Sequence, residues 1–587
     1  MTSRPQSGPI WTNWPVHCKS IRHCRCTWNS RPKAPPDWAE VPALLVISSH
    51  AQTTTAGRLR QLRVWLWSSM CYCSRPSERS LPGRTLMKEQ PAAPSIWSEA
   101  RRPRKPDASV EGGGRQEAEV ESSSPSRDHR SVFQQDYDRL LFSTPVRRLA
   151  DKTQVWPMEE NDGVRTRLTH SHEVANLARS IGARAYKAVR DEFKLYSTDE
   201  GQTDVINPLL LSIGLGHDLG NPPFGHQGEV AIGRWFERRK NWIFTHLREG
   251  VEGKGDTPLD VTVPNAYRSE FTDFDGNPQS LRLLTRLQTH IDGLGLDLSA
   301  ATLAAGLKYP VSYLSRVKND PVRKKGGYFE SEKDVVEWVR AHTGLEEGQR
   351  HPLTWIMEAC DDIAYSVLDV DDVLKKGIMS PDDILVILRQ VFKSDDPVVE
   401  KIQGVFRRVE SRKLSPKNQR DIKIEYLRAC LIGSLIDHAS ARFVAQSSAI
   451  FSFEPIQPLM DSSVLCGELQ KVAKQNAFNH YSVLRTEALG AAAIDGLMTV
   501  IWEAISHRKD ISDLRSARIG ARAKYVFSLI SQNYVEQAHE PTNPSEVASG
   551  LRYRELRLLT DMVSGMTDTF AMRLWNDIKD MPDANCA

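Results

Sequence analysis

Apolar residues recur at helical spacing through most of the chain. Val174, Leu177, Ala178 and Ile181 follow the i, i+3, i+4, i+7 rule, and Ile363, Val367, Val370 and Leu374 repeat it. Leu484, Ala488, Ala491 and Leu497 do the same less strictly. Alternating β-branched runs are few and no internal repeat appears. Polar loops separate the periodic segments, and residues 250–264, rich in Gly, Glu and Pro, read as an exposed loop. The pattern predicts one large all-α domain over residues 131–580.

Residues 1–130 show neither the helical nor the strand period. They are rich in Pro, Arg, Ser and Trp, and residues 101–130 join mixed charge to Gly112-Gly113-Gly114 and a Ser run, the composition of a linker. The expectation is a poorly structured N-terminal extension, with Met87 as an alternative start of translation. Its first 86 residues carry twelve Lys and Arg against three acids, Asp37, Glu40 and Glu78. The cluster His17-Cys18 and His23-Cys24-Arg25-Cys26 lacks the paired spacing of a zinc site.

Composition narrows the class. A net charge of +3 over 587 residues implies no polyanion partner by itself, and the basic stretches 318–325 and 407–413 read as solvated surface. Nine scattered cysteines form no disulfide framework and point to a reducing compartment. No apolar run approaches the roughly 18 residues of a membrane span, and the N-terminus has no apolar signal region. A soluble cytoplasmic protein is expected.

Chemistry concentrates in residues 216–229, Gly-His-Asp-Leu-Gly-Asn-Pro-Pro-Phe-Gly-His-Gln-Gly-Glu. The apolar run 209–215 ends in His217-Asp218, and adjacent helical residues point about 100° apart, so both reach one ion only from the helix rim. Gly220-Asn221-Pro222-Pro223 then forces a turn. His226 and Glu229 open the next helix with i, i+3 spacing, on one face. Two further ligands fit a metal: His170, at the start of an amphipathic helix, and Asp361, on a helix with an apolar opposite face. Two imidazoles and two carboxylates suit Mn, Fe, Co, Ni or Zn, and Mg less well, with positions open for water and phosphate.

These residues resemble the H…HD…D motif of the HD superfamily. The longer strings Arg147-Arg148-Leu149, Lys152-Thr153-Gln154-Val155, Arg165-Thr166-Arg167-Leu168-Thr169-His170-Ser171, residues 216–229 and Gly565-Met566-Thr567-Asp568 resemble, more narrowly, the dGTPase family of triphosphohydrolases. The resemblance runs from about residue 133 to 580. It implies an all-α HD-domain fold, assembly into hexamers or tetramers, and conversion of a dNTP, dGTP among them, to deoxynucleoside and inorganic triphosphate with Mn, Mg or Co.

By the same resemblance His170, His217, Asp218 and Asp361 hold the metal. His226 serves as the catalytic histidine beside the α-phosphate, with Glu229 orienting it. Gln154 and Arg167 contact the sugar or base and the phosphate, Tyr365 and Asp369 lie beside the deoxyribose, and Asn277 and Gln279 belong to the pocket. Simpler readings stand beside these: Tyr365 as a packed aromatic, Asp369 and Asp362 as solvated acids, Asn277 and Gln279 as loop hydrogen-bonders. Single-stranded DNA and a regulatory dNTP are further partners that the resemblance allows. The alternative functions are hydrolysis of another nucleotide phosphoester and nucleotide or nucleic-acid binding without turnover.

Overall fold

Helices begin where the chain supplies a capping side chain. Ser131 caps Val132–Leu141 (α1) and Thr166 caps Arg167–Ala188 (α2), each accepting from the backbone N–H three residues on. A computed structural model describes residues 94–104 and 129–582, apart from 160, 162, 196–199, 249–250, 253–261, 394 and 542–548. The cluster from His17 to Cys26 and Met87 lie outside the described residues.

The architecture is all-α. Among the described residues the one sheet is an antiparallel pair, His246–Arg248 (β1) with Val251–Glu252 (β2), in which His246 faces Glu252. That pair occupies part of the segment expected to be a bare loop. The helices that build the site, in chain order after α2, are Asn207–Gly216 (α3), Gly225–Arg239 (α4), Gly276–Thr285 (α5), Ala300–Gly306 (α6), Pro352–Ile363 (α7), Asp369–Lys375 (α8), Tyr481–Ser506 (α9), Leu551–Ser564 (α10) and Asp568–Ile578 (α11).

Two apolar cores meet along α2 and α3. Val174, Ile181, Leu209 and Ile213 face one, together with Ile356, Cys360 and Ile363 of α7. Ala175 and Leu215 face the other, with Trp235 and Phe236 of α4 and Ile494 and Leu497 of α9. Each such side chain withdrawn from water contributes about 1.5–3 kcal/mol, so α2 and α3 are pinned from both sides. The stripe Val174, Leu177, Ala178, Ile181 is buried as its spacing requires, and so is Ile363, Val367, Val370, Leu374.

The third stripe is shifted. Val483, Gly490, Ala493, Ile494 and Leu497 form the buried face of α9, while Leu484 and Ala488 are exposed. The same helix is long and apolar enough to span a membrane, with a mean hydropathy of 1.5, contrary to the expectation that no segment qualifies. Four charged residues (Arg485, Glu487, Asp495 and Glu503) interrupt it, and 56% of its most apolar window is buried among neighbouring helices.

Residues 94–104 pack onto the helical body, although the sequence groups them with the irregular extension. The Trp97 indole donates to the Phe193 carbonyl (2.9 Å), Arg101 pairs with buried Asp136 (2.8 Å), and the first amides of α6 donate to the carbonyls of Ala100 and Ser98. Backbone pairing, the Arg101 ion pair and buried Arg102, which donates to the Thr285 carbonyl (2.9 Å), outweigh a composition that reads as linker.

Candidate metal and nucleotide site

His170 lies in the first turn of α2, His217 caps the C-terminus of α3, and Asp361 closes α7. Because the seam between the cores fixes these helix ends, the three side chains converge. Nε2 of His170 stands 3.4 Å and Nε2 of His217 3.5 Å from Asp361 Oδ1, and all three donor atoms lie within 4.8 Å of one another. Ligand atoms about 2.1 Å from one ion and about 110° apart stand about 3.4 Å from each other, so the spacing fits a shared cation.

The donor set fits as well. His217 Nδ1–H donates to the Gly214 carbonyl at 2.7 Å, which leaves the Nε2 lone pair facing the cluster. Nε2 of His217 and both ring nitrogens of His170 are buried without a hydrogen-bond partner, a costly state that a metal ion would relieve.

Asp218 is set slightly apart. One oxygen is 3.4 Å from His217 Nε2 and paired with Arg167, and the other accepts from Asn221 Nδ2 at 2.8 Å. Burial opposes charge on all these groups. Even so, Lys308 and the two histidines hold Asp361 well below the usual carboxylate range, and Arg167 and His217 do so for Asp218. Burial would lower His217, but the two carboxylates outweigh it and raise the imidazole to about 10.

Beside the cluster opens a cavity of about 560 Å³, within the range of nucleotide-sized pockets. Gln154, Arg167, His217, Asp218, His226, Glu229, Asn277, Asp361 and Tyr365 line it; His170 sits buried behind the cluster. Phe224 and Gly225 take left-handed φ values of 62° and 55° where α4 begins, a turn that presents His226 to the opening. Asp568, at the start of α11, holds that turn by accepting from Phe224 N (3.0 Å) and Thr153 N (3.0 Å).

His226 Nδ1–H donates to Glu229 Oε2 at 3.0 Å, and Glu229 Oε1 accepts from Gly276 N at 2.7 Å. The bond to Glu229 raises the imidazole above its ordinary value, against partial burial and Lys325.

A straight helix does not carry Tyr365 and Asp369. Between α7 and α8, residues Ala364–Leu368 form a π-turn, a feature often found at functional sites. Tyr365 emerges from it at 37% exposure and stacks on Phe478 (5.2 Å, 23°), which ends a second π-turn, Lys474–Phe478. Asp369 is 1% exposed, absent from the cavity wall and without a hydrogen-bond partner on either oxygen; burial, then Asp372, pushes its carboxyl well up. The expectation of a solvated acid therefore fails for Asp369, and Asp362 is half-buried and raised to about 7 by burial and Asp361.

Gln279 is not brought to the cavity. It is fully buried, and its Nε2 donates to Asp561 of α10 at 2.9 Å, within the Arg282–Asp561–Glu332 network. Asn277 does reach the wall, and its Nδ2 donates to the cap of α5, Asp275.

Lys308, Tyr309 and Lys325 are among the wall residues that sequence reasoning missed. Lys308 sits 3.4 Å from Asp361 and 3.9 Å from Glu358, Tyr309 follows it, and Lys325 pairs with Asp275 at 2.5 Å. Lys325 remains partly solvated, at 44% side-chain exposure, but its pairing with Asp275 brings it to the cavity wall. The signal was the Gly-Gly after Lys325: a Cβ on Gly327 would stand 1.6 Å from the Tyr309 carbonyl oxygen, so the two lysine-bearing segments must cross closely.

No family model matches the chain. Among curated proteins it is 32% identical over 455 residues to a deoxyguanosinetriphosphate triphosphohydrolase-like protein of Listeria innocua, covering 77% of this chain and 94% of that protein. It is also 32% identical over 476 residues to a deoxyguanosinetriphosphate triphosphohydrolase of Yersinia pestis, covering 75% and 92% respectively.

Proposed function

The chain belongs to the deoxyguanosinetriphosphate triphosphohydrolase family, and from that premise we propose that it hydrolyses dNTPs, dGTP among them, to deoxynucleoside and inorganic triphosphate. One observation carries the reading: the His170–His217–Asp361 cluster, the His226–Glu229 pair and the cations Arg167, Lys308 and Lys325 border one cavity.

His170, His217 and Asp361, with Asp218 beside them, would hold a divalent ion, Mn, Mg or Co. Such an ion supplies positive charge to phosphoryl oxygens and acidifies water. Arg167, Lys308 and Lys325 bind the polyphosphate, whose charge offsets the crowding of cations. Water attacks the α-phosphorus and the bond from phosphorus to O5′ breaks. O5′ takes its proton from Nε2 of His226, whose charged form Glu229 favours. Gln154 and Asn277 contact the nucleoside. Tyr365, braced by Phe478, closes the sugar end against a 2′-hydroxyl, and Asp369 lies beneath it.

The same proposal includes assembly as a homo-oligomer and work in the cytoplasm. The exposed apolar side chains Tyr481, Leu484 and Leu489 of α9 support the first; sedimentation and fractionation test the two.

The mechanism is tested by hydrolysing dGTP in ¹⁸O-water. Label in the released triphosphate is expected. Label in the deoxynucleoside, or release of orthophosphate or a monophosphate, would transfer the site to another phosphoester reaction.

A further inference from the structure

Arg165 stands two residues ahead of Arg167, and its side chain is 9% exposed. Its guanidinium reaches Glu173 (2.9 Å), Asp371 (2.8 Å), Asp372 (2.5 Å) and the Leu368 carbonyl (3.4 Å). Its own backbone N–H also donates to Asp372, at 3.3 Å. Both Asp372 oxygens are thereby taken by one residue. Asp371 has further partners in Lys375 (3.1 Å) and Arg428 (3.3 Å).

Apart from Glu173, on α2, these contacts fall at the end of the π-turn Ala364–Leu368 or just beyond it. A π-turn holds one residue more than an α-turn, so it rotates the helix before it relative to the helix after it. Asp361 lies on the near side, Tyr365 within the turn and Asp369 on the far side. Arg165 grips the far side while belonging to the entry of α2, which carries Arg167 and His170. It spends its donors on Glu173, Asp371, Asp372 and Leu368 and leaves Asp369 without a hydrogen-bond partner.

We infer that Arg165 is a positioning residue for sugar selection: by joining Asp371, Asp372 and the Leu368 carbonyl to the entry of α2, it sets the rotation of the π-turn and hence how far Tyr365 closes the sugar end of the cavity. The inference rests on the reading that Tyr365 faces the deoxyribose. Two separate nitrogens are needed, because Nη1 meets Leu368, Asp371 and Asp372 while Nε holds Glu173 on α2; the single ammonium of lysine cannot join the two sides.

The test uses Arg165→Lys, which keeps the charge, and Asp372→Asn, which keeps the side-chain shape. kcat/KM is measured for each dNTP and its matching rNTP, beside the Mn²⁺ dependence and the melting temperature. Selectivity for dNTP is expected to fall by at least about tenfold in both variants, within the range that pocket contacts control, and the double variant should be no worse than either single one. The Mn²⁺ dependence should not move. Lost stability alone lowers both substrates together and leaves the ratio where it was. If Arg165→Lys fails to fold, Asp372→Asn decides, since Asp371 keeps Lys375 and Arg428. A selective parent with equally selective variants overturns the role of Arg165 alone. A parent that releases triphosphate without separating dNTP from rNTP overturns the Tyr365 reading and this inference with it.

Discussion

Replacing Gly214 by Ala tests whether the seam between α2 and α3 sets the metal site. Gly214 precedes His217 by three residues and its carbonyl accepts from that imidazole. A methyl group there would stand 2.5 Å from the Cα and 2.8 Å from the N of Ala175. Both are main-chain atoms and cannot rotate away. Ordinary contact begins at 3.4 Å, so the helices must part by about 0.9 Å (3.4 less 2.5).

Ala175 lies five residues beyond His170 on α2, so the parting separates His170 from His217. Metal ligands tolerate about 0.2 Å, and a misplacement near 1 Å costs about 100-fold in rate. Stability should change less: overpacking costs about 1–3 kcal/mol, partly offset by about 1 kcal/mol of helix propensity gained when Gly becomes Ala. The assay is triphosphate release against Mn²⁺ concentration, with circular dichroism as the control for folding. The rate is expected to fall roughly 100-fold and the Mn²⁺ requirement to rise about tenfold or more in a folded protein. A folded variant with the parent's rate and Mn²⁺ dependence would refute the reasoning.

Asp361→Asn should lower turnover more than about 100-fold at any Mn²⁺ concentration, because it removes a ligand rather than a supporting group; metal-induced stabilisation in a thermal melt checks the same loss. Protonated His226 is the proposed acid and Glu229 raises its pKa, so activity should hold below that raised value and fall as pH rises through it. Glu229→Gln should move that alkaline limb to lower pH, and a pH–rate profile whose limb stays put would reject the assignment. Tyr365→Ala should reduce the dGTP-over-GTP preference by roughly 10- to 200-fold, read from kcat/KM for both. Lys325→Met should weaken product inhibition by triphosphate about 10- to 100-fold, the scale of one charged hydrogen bond, and leave inhibition by deoxyguanosine unchanged.

The convergence of His170, His217 and Asp361 was legible because these residues cap or end helices, where sequence punctuation and chemistry coincide. His217 stands where an apolar run stops, and His170 follows a capping Thr. Gln279 was misjudged because Asn277 and Gln279 are two residues apart on a helix, about 200° around it, so only one can face the cavity. Lys308 and Lys325 were missed because each sits in a short irregular segment and their meeting depends on a crossing that no local period encodes. The π-turns are equally silent in hydrophobic spacing: the stripe from Ile363 to Leu374 runs through one of them unbroken. In α9 one stripe spans a helix whose first turns are exposed and whose last turns are core, so the small residues Ala488 and Ala491 misled the phase.

Product analysis of the purified protein with each of the four dNTPs, with Mn²⁺ or Mg²⁺, tests the central claim most directly. Equimolar deoxynucleoside and inorganic triphosphate are expected, and both should vanish with EDTA and in an Asp361→Ala variant. No triphosphate from any dNTP, alone or in mixtures that would fill a regulatory site, would contradict it.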